Sequence, residues 1–431
     1  MFFQREKELK SLNNSFNRAN SAIDFIFASK NVGKTSLVKE YIKDKENIYL
    51  TNYEMIPNHF FSQMANIVNK HFNHTDISSS LFSSFMDILE LLNEQSIEKK
   101  LVIVFEDFQN IIKVDKNALE DLIQYWKKSL KNKNIQIIVT SSLLFSDSYK
   151  NNLERISNEI INLEYLSFRK SKELFPQINK LEQLYIYSIL GTISTNIKYY
   201  NPKINISNNI KNLFLSRDSY FFDYGIRILK NEISDIGTYS SILYSISKGN
   251  TKIGDIARSL ELKSTHLTRY LQKLIDMMII KRIIPLGDNQ KVSKFGRYEI
   301  KDNTLKFWFS CIYPNFLDLQ LGNINKISDL IQEEFINKVV FPSYKIFVKE
   351  TIKNKQSDIF EYTPIAIDSW WDNNNSIDLI AYDRKTITFV QITWEDDNPD
   401  ISYEKLKAAS LKFDTSLEKK YMLITKDTFL R

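Results

Sequence analysis

One cysteine, Cys311, occurs in 431 residues, which excludes an intrachain disulfide and a cysteine metal cluster and fits a reducing interior. Histidine is almost as scarce. Of the four (His59, His71, His74, His266), only His71 and His74 in "HFNHTD" lie close together. No third ligand stands beside them, so an exposed helix end is the reading rather than zinc. Glycine (9) and proline (8) are few beside abundant Asn, Lys, Ile and Tyr, a bias of an AT-rich coding genome from which no function follows. Long hydrophobic runs are missing too. "LVIVF" (101–105) falls far short of the roughly 20 residues a membrane helix needs. "MFFQREKELKSL" turns charged after three residues and lacks the apolar core of a signal peptide. The expectation is a cytoplasmic protein without a membrane partner. A net charge of +6 over this length is too small to mark a general nucleic-acid binder, so local clusters must carry that argument.

What is present has the size of about three domains. Residues 1–165 alternate helix and strand patterns. A charged amphipathic helix (Glu6–Phe16) precedes the strand "DFIFA", a loop and a helix from Lys34 to about Lys43. Then come "NIYLTN", a long helical stretch over about 59–97, "LVIVF", a helix over 116–131 and the strand "IQIIVTSS". Short apolar strands separated by helices predict a parallel sheet covered on both faces. Residues 166–235 read as helical. Residues 236–300 hold three helical segments and two β-rich runs, "IIKRIIPL" and "RYEIKD", the pattern of a winged helix. Residues 301–431 open on the aromatic "LKFWFSCIYPNF" and end in strands "SIDLIAYD", "TITFVQITW" and "YMLITKD", with a helix at 402–412.

The segment "ASKNVGKT" (28–35) follows an apolar strand and opens a helix, the context a phosphate-binding loop requires. A polyphosphate needs backbone N–H donors, a cation and a hydroxyl that helps hold magnesium. Asn31, Val32, Gly33 and Ser36 belong to the loop and helix start, with Lys34 as the cation and Thr35 as the hydroxyl. Ala28 stands where the usual pattern has its first glycine, a small change if that residue ends the strand with an ordinary φ. "LVIVFEDFQNI" brings Glu106 and Asp107 to a strand end, where one acid supports magnesium and its neighbour polarises water. The usual order is Asp then Glu. In one register Glu106 reaches a methylene too far toward the metal and Asp107 falls short of the water; in the other the strand runs one residue longer and Asp107 serves the metal. Either way binding should survive better than hydrolysis. "VTSS" places Ser141 and Ser142 where a polar residue would sense the terminal phosphate.

These segments resemble the archaeal-type P-loop ATPases of the AAA+/STAND group, which carry a winged helix and a C-terminal domain resembling restriction endonucleases. "FFQREKELKSL", "NVGKTSL", "VIVFEDFQ", "VTSS", "ILGTI" and "YEIKDNTLKFWFSCIYPN" carry the likeness across nearly the whole chain. The resemblance implies an α/β fold: a P-loop NTPase parallel sheet (1–165), a helical lid (166–235), a winged-helix domain (236–300) and an inactive nuclease-like α/β domain (301–431). It implies ATP and Mg2+ as cofactors, with Arg5 and Glu6 near the base, Lys34 and Thr35 on phosphate and metal, and Glu106 and Asp107 at the acidic site. Ala28, the exchanged acids and Thr140 in place of a glycine are the departures.

In the winged helix, Leu267, Tyr270, Leu271 and Leu274 form an inward face, and His266, Arg269 and Lys273 lie on a polar, basic face suited to a DNA groove. Lys281 and Arg282 could add phosphate contacts. The other reading is a solvated face, or a module packed as a lid. A restriction-type nuclease needs an Asp, an acid on the next strand and a Lys two residues on. Asp378 supplies the first; Gln391 and Thr393 stand in the other two places, and Val348 falls loosely where a helix acid would be. Trp370, Trp371 and Trp394 read as packing rather than base stacking. Together these features predict an ATP-binding, slowly hydrolysing switch acting on double-stranded DNA or on a protein partner. The alternative is a DNA-binding regulator with a vestigial ATPase scaffold.

Overall fold

The computed structural model describes residues 5–51, 57–73, 82–145, 147–171, 177–230, 232–395, 399–413 and 415–430. His74 and the "FFQ" of the N-terminal segment lie outside these. The chain divides into two compact units. One comprises Met1–Glu164 with Asp276–Met278, the other Tyr165–Ile275 with Ile279–Arg431.

The first unit is built on five parallel strands: β1 (Ala22–Phe27), β2 (Asn47–Leu50), β3 (Leu101–Phe105), β4 (Ile135–Ser141) and β5 (Glu159–Asn162), in the order β2-β3-β4-β1-β5. β1, β3 and β4 are buried at every position, as central parallel strands covered on both faces must be. Side chains alternate between two cores. Ile23, Phe25 and Phe27 join Ile103, Phe105, Ile137 and Val139 on one face. Ile26 and Ala28 join Val102, Val104 and Ile138 on the other, beneath Leu12, Leu37 and Val38. The expected helix over 59–97 is described as two, Pro57–His71 and Phe85–Glu94. The latter starts at Ser84, which accepts from the Asp87 N–H while the Asp87 carboxylate accepts from the Ser84 N–H.

Asp24, wholly buried in β1, is fully partnered. Ser15 donates to one carboxylate oxygen at 2.7 Å and Gln136 of β4 to the other at 2.7 Å, while Tyr41 donates to Gln136 at 2.7 Å. Burial outweighs these hydrogen bonds and pushes the Asp24 carboxyl up to about 6. The ordinary value is about 3.9. Between the two values the folded chain therefore holds the proton more tightly than the unfolded chain does. The group's contribution to stability is full below about pH 4 and is lost as pH rises through about 6.

The second unit begins with short helices, Phe168–Ser171, Lys180–Leu190, Ser194–Ile197, Ile206–Ile210 and Tyr224–Lys230. Helices Ile236–Ser247, Ile253–Ser259 and Ser264–Asp276 follow, then the antiparallel pair β6 (Ile280–Ile283) and β7 (Arg297–Ile300). The aromatic segment opens at Asp302, whose carboxylate accepts from the Thr304 N–H at 2.8 Å and from the Tyr224 hydroxyl at 3.1 Å. Asn303 donates to the Tyr187 carbonyl at 3.1 Å, and Asn196 to Thr304 at 3.3 Å. "KDNT" is thus a buried polar knot tying three earlier helices to Asn303–Phe307. Burial raises Asp302 to about 6 as well. Trp308 packs against Gly225, and a methyl group there would sit 2.2 Å from its Cε3 atom.

The C-terminal sheet has the order β11-β10-β9-β8 over β8 (Ala366–Trp371), β9 (Ser376–Tyr382), β10 (Thr386–Ile392) and β11 (Glu418–Ile424). β8–β9 and β9–β10 are antiparallel, and β10–β11 is parallel across the helix Pro399–Ser410. An α/β architecture with a P-loop-type parallel sheet and a separate strand-rich C-terminal region is what the sequence implied; that the C-terminal sheet is mixed is seen only in the structure. β5 and β8 are additions to it: both are half-exposed, and neither shows the continuous apolar run of a buried strand. Among the described residues no helix is long and apolar enough to cross a membrane.

Two outcomes are expected. Asp24→Asn, which cannot ionise, should flatten the fall of stability between about pH 4 and pH 7 by up to about 3 kcal/mol, read from urea midpoints; an unchanged slope would mean that Asp24 titrates normally. Gly225→Ala should cost about 1–3 kcal/mol by overpacking, whereas Gly254→Ala, with open space around its Cβ, should be neutral or slightly stabilising in the same assay.

Candidate functional site

In an open parallel sheet, ligands collect beyond the carboxyl ends of the strands. There β4 lies between β1 and β3, so the segments leaving all three converge. Ala28 leaves β1 fully buried, with its N–H on the Ser141 carbonyl at 3.2 Å. It is not among the positive-φ residues, so the absent glycine costs the loop no strain. The turn is made instead by Asn31 (φ 67°) and Gly33 (φ 106°), both left-handed. Nothing lies within 4 Å of a Cβ at Gly33, so its backbone conformation, not space, demands glycine. The helix Lys34–Ile42 then starts without a side-chain cap, its first-turn N–H groups belonging to Lys34, Thr35 and the exposed Ser36.

Lys34 is 7% exposed, and its ammonium donates to the carbonyls of Ala28 at 2.9 Å and Ser29 at 3.4 Å. Thr35 Oγ1 donates a hydrogen bond to Oε1 of Glu106. Oε2 of Glu106 accepts from Thr51 at 3.1 Å. β3 ends at Phe105, so of the two registers the sequence left open, this one brings Glu106 to the loop's hydroxyl. Asp107 turns left-handed (φ 49°, ψ 53°), starts the helix Phe108–Val114 and donates its N–H to Thr140 Oγ1 at 3.0 Å. Threonine at 140 therefore supplies an acceptor that glycine could not. Ser141 is wholly buried, and its hydroxyl donates to the Leu143 carbonyl at 2.7 Å; only its backbone carbonyl reaches Ala28. The Ser142 N–H donates to Gln109 at 3.1 Å.

Arg5 grips the loop from outside. Its guanidinium donates to the Val32 carbonyl at 3.4 Å, the Glu164 carbonyl at 2.8 Å and the Glu8 carboxylate at 3.2 Å. Burial lowers its pKa and Glu8 partly restores it. Glu6, one residue on, is exposed. Magnesium in phosphate sites keeps several waters and takes only one or two protein carboxylates. Thr35 and Glu106, two oxygen donors in contact, fit that demand. No group of three or more His, Cys, Asp or Glu side chains poised for a metal occurs among the described residues. His71 lies 3.4 Å from Glu46.

His266, Arg269 and Lys273 belong to the second unit, on the helix Ser264–Asp276. Leu267, Leu271 and Leu274 are buried on its other face, while His266 and Arg269 are exposed and Lys273 half-exposed. Tyr270, expected inward, is half-buried with its hydroxyl 3.3 Å from Asp235, and the Arg269 guanidinium lies 5.2 Å from its ring centre. Arg282 departs from expectation. Its guanidinium donates to the carbonyls of Gln290 and Ser293 (2.7 Å to the latter), holding the β6–β7 loop rather than facing a phosphate. Lys281 pairs with Glu299 at 3.3 Å.

Asp378 on β9 is surrounded by donors. Lys345 reaches it at 2.9 Å, Lys349 at 3.6 Å, Gln391 at 2.9 Å and the Ile392 N–H at 2.9 Å. Both lysines come from the helix Phe341–Asn354, whose Val348 is buried in the core. A divalent cation needs acceptors there, so this donor set does not fit one. Burial lowers the pKa of Lys349. Trp370, Trp371 and Trp394 all pack: Trp370 on Phe413, Trp371 under Arg297 with its N–H on the Phe295 carbonyl at 2.7 Å, and Trp394 on Tyr344.

Sequence reasoning passed over Thr51. A hydroxyl just past β2, the strand beside β3, was the one signal available.

Residues 2–200 match the family described as an ATPase domain predominantly from Archaea, and residues 308–408 match one described as archaeal and bacterial proteins of unknown function. The Walker-type ATPase of Pyrococcus abyssi superposes with a TM-score of 0.51 at 14% identity, covering 72% of this chain and 96% of that one; at such identity the likeness is one of fold. Sheet and loop accompany the family match over residues 2–200, so that part of the chain is similar to an archaeal-type ATPase domain and has a P-loop fold. More narrowly, that match is followed along the chain by the match to the family of unknown function. An uncharacterized protein of Methanocaldococcus jannaschii is 28% identical over 406 residues, 92% of this chain and 88% of its own length.

Proposed function

We propose that the chain is an ATP-controlled switch, in which nucleotide binding rather than rapid turnover changes how the second unit engages duplex DNA. The observation that carries this reading is the meeting of Thr35 and Glu106 beside the buried Lys34. Lys34 has its carbonyl partners within its own loop and can exchange them for phosphate oxygens. Thr35 and Glu106 would hold Mg2+, which when bound neutralises phosphate charge. The first-turn N–H groups of the helix Lys34–Ile42 take the remaining oxygens.

Slow hydrolysis follows from the second acid. Asp107 is one methylene shorter than glutamate and begins a helix in a left-handed conformation, so it is poorly placed to polarise water for attack. Binding suffices for a switch, because a nucleotide shifts any equilibrium in which it prefers one arrangement. Residues 166–235 act as a lid and 236–300 as a winged helix in this reading, with His266, Arg269 and Lys273 on DNA. The nuclease-like domain is inactive, since donors rather than acceptors surround Asp378.

Labelled ATP titrated with and without duplex DNA tests both halves. Lys34→Ala should weaken ATP binding by at least a hundredfold; intact binding in that variant would sink the proposal. ATP should change duplex affinity at least fivefold, the lower end of ordinary coupling. Arg269→Ala/Lys273→Ala should weaken duplex binding and reduce its salt dependence by one to two phosphate contacts, about one per cation lost. Salt-sensitive DNA binding indifferent to ATP would favour a DNA-binding regulator with a vestigial ATPase. A protein partner is the remaining outcome if no duplex binds.

A further inference from the structure

Glutamate at the metal position has one methylene more than the aspartate usual there, and an unrestrained longer arm samples several rotamers. In this chain the arm is pinned at both ends to the same neighbour. The Glu106 N–H donates to the Leu50 carbonyl at 2.9 Å, continuing the β2–β3 ladder past Phe105. One residue further along, the Thr51 hydroxyl donates to Oε2 of the carboxylate at 3.1 Å. With Oε2 taken, Oε1 is left facing Thr35. Tyr49 of β2, two residues before Thr51 and on the same face, is half-buried, and its pKa is raised first by burial and then by the nearby Glu106. The carboxylate is thus bordered by β2 on one side and the phosphate loop on the other.

We propose that Thr51 is a positioning residue for the metal-holding acid. By anchoring one oxygen of Glu106 it takes up the extra methylene and delivers the other oxygen to the place an aspartate would reach directly. The exchanged acids then leave metal binding intact and weaken only the water-activating role of the second acid. Thr51 touches neither nucleotide nor metal; it acts through Glu106. This inference rests on the nucleotide-binding reading above.

The test is a Mg2+ titration of labelled-ATP binding to the full-length protein, beside ATP binding in EDTA. Thr51→Val, which keeps the shape and removes the hydroxyl, should raise the Mg2+ midpoint roughly tenfold to a hundredfold, the usual cost of losing a partner that orients a metal ligand. Metal-free ATP affinity should stay within about twofold of wild type. Thr51→Ser should restore the midpoint. Glu106→Asp should leave the midpoint near that of wild type, because the shorter arm reaches the metal position without the anchor, and adding Thr51→Val to it should cost little more. An unchanged midpoint in Thr51→Val, a parallel loss of metal-free affinity, or failure of Thr51→Ser to restore would overturn the assignment while leaving the nucleotide site standing. A wild-type chain that binds no ATP at all would overturn both.

Discussion

β4 stands between the two strands that carry the chemistry, and the nucleotide site depends on that spacing. The phosphate loop leaves β1 and the acid leaves β3, which are not neighbours. Register through β4 (Phe27 beside Ser141, Phe105 beside Val139) fixes the two ends against each other, and the hydrogen bond from Thr35 to Glu106 spans the gap. Every residue of the three strands is buried, so a slip in register would expose apolar side chains and misplace the acid together. Packing energy and site geometry are therefore held by the same contacts. Asp24 and Gln136, on adjacent strands, place a satisfied polar pair inside that packing, which further restricts how the strands can align.

Much of this could be read from residue order, because buried parallel strands leave an unmistakable apolar run and a phosphate loop leaves a lysine and a hydroxyl at a fixed distance after it. Ala28 was legible as harmless for the same reason: the end of a strand asks nothing unusual of φ. Other features left no trace. β5 and β8 carry mixed side chains that look like loop. The pairing of Glu106 with Asp107 could not reveal which one faced the loop, since that depends on where β3 stops and on the left-handed turn at Asp107. Arg282 looked like a phosphate contact, but a cation beside a loop can equally satisfy the loop's own carbonyls. Thr51 was silent because hydroxyls at strand ends are common and only the neighbouring strand gives this one a partner.

In the C-terminal sheet the architecture and the polar chemistry rest on different residues. Around Asp378 the side chains are ammonium and amide groups, and each neutralises or hydrogen-bonds the single acid. The strands and covering helix need only the apolar residues, such as Ile377, Ile380 and Phe389, to remain packed. Polar positions of this kind are free to be exchanged without loss of fold, which is why architecture alone is a poor guide to activity.

The loop between β6 and β7 is fastened at three places: Arg282 holds its interior carbonyls, the Leu286 N–H meets the Ser369 carbonyl at 2.9 Å, and the Trp371 ring N–H meets the Phe295 carbonyl. Two of those fastenings come from the C-terminal sheet, so the three-helix segment and that sheet share structural material. Neither can be exchanged for a foreign counterpart, by recombination or by cloning, without the other losing part of its surface. The pair is one structural piece.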